Sequence, residues 1–378
     1  FCAVKTLEPH YKEYLSIDGQ LRTIEEQFGA QRDLLLMDNN VFASSRFFDI
    51  IEEIKAQGFH KGATYVPSSP YEVAISNLQR GHNVRGYLKK LLALYEVIAG
   101  RLNEAEAGAF YLARERAGLL YLPSAERENA LTFDAVARPL YEKYFKQGKR
   151  KRALDFNQGL DARLVTPEKM EKLAETAISP LRIAFDHYDA KDVYVRAIRM
   201  AAAAGIDHLS NYLLYNYEDH PEELYLRMKI NVDLCDELGV AIYSFPMKYH
   251  PIRDPKYFRN RDFIGVHWNR KFIRAVQAVL NATKGKIGRG KSFFAEAFGQ
   301  DIDGFFDILW MPETFIIERM KYKETLTKEW RAAFLALDGA LREEARAIIV
   351  ANNFSEDIVT RAHNAEVREV LRYYQIKK

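Results

Sequence analysis

The chain is poor in cysteine. Cys2 and Cys235 are its only two among 378 residues, too few for a disulfide framework or for a four-thiolate metal site built by this chain alone. Such sparing use of thiols predicts a reducing, cytoplasmic setting. Long apolar runs are also missing. The densest, such as Ala347–Ala351, fall far short of the roughly 18 residues of a membrane span. There is no excess of one charge: 55 Lys+Arg against 52 Asp+Glu leave +3, so bulk charge does not indicate nucleic acid or an acidic partner. Internal repeats and low-complexity tracts are absent as well. What is present is 48% apolar and 28% charged residues, the balance of a globular chain with ample core material. The length predicts two or three domains, or one large α/β barrel with additions.

Apolar stretches of strand length alternate with stretches of helical spacing. Asp33–Asp38 is a short apolar run suited to a buried strand, ending in Asp38-Asn39-Asn40. Val41–Gly58 then has helical spacing through Phe42, Phe47, Ile50, Ile51 and Ile54. A second unit opens with the strand Ala153–Asn157, and Thr166-Pro167-Glu168 starts its helix with an N-cap hydroxyl and a proline in the first turn. Leu181–Phe185 predicts a third strand, followed by a helix that stops at Gly205. Tyr212–Tyr215 predicts a fourth. Pro221 opens the next helix, with Leu224, Met228, Val232, Cys235 and Leu238 on its apolar side and Gly239 as its stop. Val240–Phe245 predicts a fifth strand. Repeated strand–helix order with apolar strands predicts a parallel sheet covered by helices.

The stretch between the first two units is too long for a loop. Its helical patterns over Tyr87–Leu102, Glu104–Gly118 and Phe133–Phe145 predict an inserted helical subdomain at 61–152. The expected division is therefore 1–60 and 153–251 for the α/β part, 61–152 for the insertion, and a helical region over 252–378, with patterns at Trp268–Thr283, Lys328–Leu337, Ala340–Ala351 and Glu366–Gln375.

Ligands of parallel α/β folds bind at the carboxyl ends of the strands, where the connecting loops converge. The polar residues placed there are Asp38, Asn39 and Asn40; Gln158, Asp161 and Arg163; Asp186 and His187; Asn216 and Tyr217; and Lys248 and His250. Any one of them is as readily explained by loop and helix capping. Five strands that all deliver polar side chains to one rim favour a shared site.

The chain opens on Phe1-Cys2-Ala3-Val4 rather than on Met, inside motif-bearing sequence without a signal-peptide pattern. It is read as a fragment whose beginning lies upstream. With the strand ends above, this opening resembles the radical S-adenosylmethionine (SAM) enzymes, in which a CxxxCxΦC loop after the first barrel strand supplies three thiolates to a [4Fe–4S] cluster and Φ is an aromatic residue beside SAM. Phe1-Cys2 resembles the final Φ-C. Leu34–Phe42 resembles the second strand and the turn at the amino end of SAM, Leu154–Leu164 the third strand and its loop, Ile183–His187 the fourth strand, and Leu213–Pro221 the fifth. Together these cover most of residues 1–251 apart from the insertion.

The resemblance implies an incomplete (β/α)6 TIM-like barrel lacking its first strand, with a helical insertion and a helical C-terminal region. It implies an enzyme with [4Fe–4S] and SAM as cofactors and an electron donor such as a flavodoxin or ferredoxin. SAM's amino and carboxylate groups would take the open iron, and one-electron cleavage would yield a 5′-deoxyadenosyl radical that abstracts a hydrogen atom from an unidentified substrate. Cys2 would be a cluster ligand, and Phe1, Asp38, Asn39, Asn40, Gln158, Arg163 and Asp186 would lie around SAM. Asp38 and Asn39 would accept from the ammonium, Arg163 would pair with the carboxylate and Asp186 would accept from the ribose hydroxyls. The turn reads Asp-Asn-Asn where the wider family more often has Gly-Gly-Glu. Asp-rich versions occur in members with an upstream cobalamin-binding domain, which makes cobalamin a further possible cofactor.

Other signals compete. Gly285–Ser292 (GKIGRGKS) fits the P-loop expression, but a P-loop needs a buried strand before it, and Phe272–Thr283 has helical spacing; a basic interhelical turn is the expected reading. The run Lys146–Arg152 (KQGKRKR) is expected to be a solvated loop. Cys235 falls on an apolar helix side and reads as a core residue. His187, His250 and His267, with Asp38 and Asp186, would be the ligands if the chain were instead a TIM-barrel metal-dependent hydrolase. A third possibility is a non-catalytic binding or scaffold module working through its helical regions.

Overall fold

The computed structural model describes residues 10, 13–37, 40–251, 254–288 and 290–377, without the side chain of Phe258. Helix α1 (Asp18–Phe28) leads into strand β1 (Asp33–Leu36), a tight turn at Val41–Ala43 and helix α2 (Phe47–Ala56). The expected single helix over Val41–Gly58 is thus interrupted. Ser44 takes an extended backbone and its Oγ accepts from Arg46 N at 3.2 Å, the local competition by which serine breaks helices.

The insertion follows. Strand β2 (Thr64–Tyr65) leads into α3 (Pro70–Gln79), α4 (Val84–Ala99), α5 (Glu104–Arg116) and α6 (Arg127–Tyr144), and β3 (Arg150–Lys151) returns from it. Strands β2 and β3 pair antiparallel, Thr64 with Lys151 and Tyr65 with Arg150, and clasp the neck of the insertion. The four helices share an apolar core of their own around Tyr71, Leu91, Tyr95 and Phe133. Ser69 Oγ accepts from Glu72 N to cap α3, and Asn103 with Glu106 forms a capping box on α5.

The α/β part then resumes with β4 (Ala153–Phe156), α7 (Pro167–Leu173), β5 (Leu181–Arg182), α8 (Lys191–Ala203), β6 (His208–Tyr215), α9 (Pro221–Leu238) and β7 (Ala241–Lys248). Thr166 Oγ1 caps α7 by accepting from Lys169 N at 3.3 Å, and Gly239 at φ +66° ends α9. All strand pairings here are parallel. One ladder joins β1 to β4; a second joins β5, β6 and β7 in that order. Single bridges from Leu154 to Ile178 and from Leu160 to Ile183 connect β4 to the next stretch of chain. The architecture is therefore mixed α/β with parallel strands in chain order. Among the described residues the ladders make small sheets of two and three strands. The seam lies where β4 turns at Gly159 (φ +81°) and only Leu160 returns to pair. For the same reason β5 is shorter than the expected Leu181–Phe185, whereas β6 and β7 run longer than expected.

After β7 the chain is helical: α10 (Pro255–Asn260), α11 (Arg270–Ala282), α12 (Lys291–Phe298), α13 (Ile302–Trp310), α14 (Glu313–Ile317), α15 (Arg319–Tyr322), α16 (Leu326–Ala336), α17 (Gly339–Val350), α18 (Glu356–Thr360) and α19 (Ala365–Arg372). This region divides between two cores. Residues from Trp268 to Ile316 join the core behind the parallel strands, and Trp330, Phe334, Ile349, Val367 and Leu371 form another around Phe315. No helix among the described residues is long and apolar enough to cross a membrane.

Candidate functional site at the strand ends

The carboxyl ends of the parallel strands are tied into one rim. Asn157 N donates to Leu36 O at 3.2 Å across the ends of β1 and β4. Lys169, in the first turn of α7, donates to Phe42 O at 2.7 Å and so fixes the loop after β1 against the helix after β4. Ala184 N donates to Leu160 O, and Tyr249 N to Tyr215 O.

The central tie is Arg227 of α9, whose side chain is fully buried. Its Nη1 donates to Phe185 O (3.2 Å) and Asp186 O (2.7 Å), its Nη2 to Leu214 O (2.8 Å) and to Asp219 Oδ2 (3.2 Å), and its Nε to Glu223 O (3.2 Å). Burial lowers the guanidinium and raises the Asp219 carboxyl, opposing both charges. The full set of acceptors offsets that cost. The consequence is positional. With its own carbonyl gripped, Asp186 is held at the rim, and burial pushes its carboxyl above the ordinary carboxylate range, partly countered by His187 and Arg227.

Of the residues singled out in the sequence, Phe1, Cys2, Asp38 and Asn39 lie outside the described residues. Asn40 stands where the chain leaves β1, and its Oδ1 is buried without a hydrogen-bond partner. Such an orphaned acceptor carries a desolvation cost unless a donor reaches it. Gln158 is exposed. Arg163 is 79% exposed, with its guanidinium turned onto Asp161 two residues back at 2.5–3.0 Å. Asp161 in turn caps the following short turn by accepting from Arg163 N. Asn216 is buried as a clamp: it takes a left-handed backbone (φ +67°), donates to Tyr249 O and Phe263 O, and accepts from Gly265 N. Gly265 has no room for a side chain, since a Cβ there would stand 2.5 Å from Tyr217 O. Lys248 donates to Arg261 O at 2.8 Å, and burial lowers its ammonium. The strand ends thus deliver Asn40 and Asp186 as acceptors, while Asn216 and Lys248 hold loops.

A second group lies on the strands themselves: the polar Asp155, Arg182, Ser210 and Tyr212, with Leu35, Tyr243, Phe245 and Met247, alternate with residues packed on the other face. Arg182 Nε and Nη2 each donate to Asp155 at 2.8 Å, and Nη1 donates to Ser210 Oγ (3.2 Å) and Tyr212 OH (3.4 Å). The opposite face carries a buried relay: Asn211 Nδ2 donates to Tyr194 OH, Tyr194 OH to Asn231 Oδ1, and Asn231 Nδ2 to Ser244 Oγ, at 2.7–2.8 Å. Sequence reasoning named neither group. The available signal was an Asp and an Arg in two neighbouring, otherwise apolar strands.

The competing motifs have local roles. Helix α11 precedes Gly285–Ser292, Gly288 packs against the backbone of β7 at Ile242, and Lys291 pairs with Asp233 and Asp236 of α9. This is an interhelical turn, not the strand–loop–helix of a P-loop. Arg152, closing the basic run, is largely buried, donates to Gln57 O and lies over the Phe59 ring. Cys235 is half-buried and its Sγ accepts from Ile242 N at 3.3 Å. His267 stacks on His220 at 3.6 Å. Among the described residues no group of three or more His, Cys, Asp or Glu is placed to hold a metal ion.

Asn40 Oδ1 and the Asp186 carboxyl are acceptors of the kind that the ammonium and the ribose hydroxyls of SAM would need. The described residues do not supply a cluster ligand set, and none is assigned to cobalamin. Comparison with protein-family models, curated proteins and solved structures finds no match to this chain.

Proposed function

We propose that this chain carries the SAM-binding core of a radical SAM enzyme, acting on a substrate yet to be identified. The observation that carries the reading is Asp186, whose backbone carbonyl accepts from Arg227 and whose carboxyl is desolvated, at the carboxyl ends of parallel strands that follow one another in chain order. The buried, unpartnered Oδ1 of Asn40, four residues after the last residue of β1, supports it. In this reading Asn40 accepts from the SAM ammonium, joined by Asp38 and Asn39. Asp186 accepts from the ribose hydroxyls, and Arg163 leaves Asp161 for the carboxylate. Phe1 and Cys2 would belong beside SAM and the cluster. A [4Fe–4S] cluster, when bound, supplies the electron for reductive cleavage of SAM. The rim residues orient SAM and limit water around it.

The test uses the protein as encoded, purified without oxygen and reduced with dithionite in the presence of SAM. Release of 5′-deoxyadenosine supports the proposal. Bound zinc without iron, or SAM left intact under reduction, overturns it.

A further inference from the structure

We propose that the exposed face of β7, with Tyr212 of β6 at its side, is a floor for a neutral planar ring with a hydrogen-bond acceptor on its edge. The assignment of that ring as substrate rests on the function proposed above; its binding does not. On β7 the residues Tyr243, Phe245 and Met247 are 46%, 38% and 47% exposed, whereas the alternating Ile242 and Ser244 are buried. Parallel strands ordinarily have both faces covered and are apolar on both, and this one leaves two aromatic rings and a thioether exposed on one face. The register sets Tyr212 beside Phe245. The ring centroids are 5.8 Å apart for Tyr212–Phe245 and 4.8 Å for Tyr243–Phe245, with tilts of 38° and 48°. The rings are tilted rather than stacked, which leaves aromatic surface for a planar ligand.

The polar end of the floor fixes the ligand's charge and orientation. Arg182 and Asp155 form a two-pronged pair, so their charges cancel and no counter-charge is left for an ionic ligand. Arg182 Nη1 donates to the Tyr212 oxygen, which leaves the phenolic proton to donate outward. A carbonyl or ring nitrogen on the ligand's edge completes that bond while the ring lies on Phe245 and Tyr243.

The experiment titrates the full chain with 7-methoxycoumarin, neutral and planar with a lactone carbonyl, and with 2-methoxynaphthalene, which lacks the carbonyl. The wild type should prefer the coumarin by about three- to tenfold, the worth of one neutral hydrogen bond. Tyr212→Phe keeps the ring and should erase that preference. Phe245→Ala, at a partly exposed position, should weaken both probes, and Lys89→Ala, on the remote insertion, should change neither. Absence of binding, or a coumarin preference that survives Tyr212→Phe, overturns the proposal. The expected pattern in a protein that fails to cleave SAM keeps the ring site and removes only its assignment as substrate site. SAM cleavage without probe binding removes the ring site and leaves the SAM reading standing.

Discussion

Replacing Lys271 by Met should stabilise the protein, and by more at neutral pH than in mild alkali. Lys271 lies in the first turn of α11, is completely buried, and its Nζ has no hydrogen-bond partner. The opposite charge that acts on it, Glu313, already accepts from Arg274 at 2.9 and 2.7 Å and from Asn352 at 3.2 Å. Burial pushes the ammonium down to about 7, with Arg274 adding to the fall and Glu313 resisting it. From an ordinary value of 10.5 the displacement is about 3.5 pH units, or roughly 5 kcal/mol at ~1.4 kcal/mol per unit. The unfolded chain binds this proton up to its ordinary value and the folded chain releases it near 7, so between those limits the unfolded state holds more protons and stability rises with pH. Integrated from pH 7 to 9, this group should contribute a gain of roughly 2 kcal/mol. Met keeps most of the stem's volume and removes the titration. Urea unfolding of both proteins at the two pH values, followed by tryptophan fluorescence, measures the difference. The variant's advantage should shrink by roughly 2 kcal/mol between pH 7 and pH 9. An advantage that stays constant, or a variant less stable than the wild type at pH 7, would refute the reasoning.

Two further substitutions probe the ties that build the rim. Arg227→Ala leaves the Asp219 carboxyl buried without its cation and strips the carbonyls of Phe185, Asp186 and Leu214 of a donor; urea denaturation should show a loss of about 3–5 kcal/mol. Gly265→Ala forces a Cβ against Tyr217 O and the Asn216 carbonyl and should cost about 1–3 kcal/mol, with faster hydrogen exchange at Gly265 N as its grip on Asn216 loosens.

Elements with strong end signals were legible in the sequence. Thr166-Pro167 starts α7 and Gly239 ends α9 where expected, because a cap and a left-handed glycine act locally. Strand extents were less legible, since pairing partners decide them: β6 and β7 lengthen together through a continuous register, whereas β5 stops where β4 has turned away. Helix α3 went unnamed although Ser69-Pro70 carries a start signal. Short helices such as α14 and α15 lack enough turns to show a period. At the rim, the sequence supplied polar residue types at strand ends but not their roles. Asn216 looks like a binding residue and is a clamp, because its left-handed backbone turns the amide onto Tyr249 and Phe263. Arg227, which positions Asp186, sits three residues after Leu224 and one before Met228. A charge inside an apolar helical stripe was the signal for it. Asp155 and Arg182 needed the neighbouring strands to be placed side by side before their pairing could be read.

The most direct measurement of the central claim is SAM affinity in the wild type and in Asp186→Ala, determined on the same anaerobic preparation as encoded. Loss of one or two hydrogen bonds to a charged acceptor, about 1.5–3 kcal/mol each, predicts binding weaker by at least about tenfold. Equal affinity in the two proteins would contradict the placement of SAM at this rim.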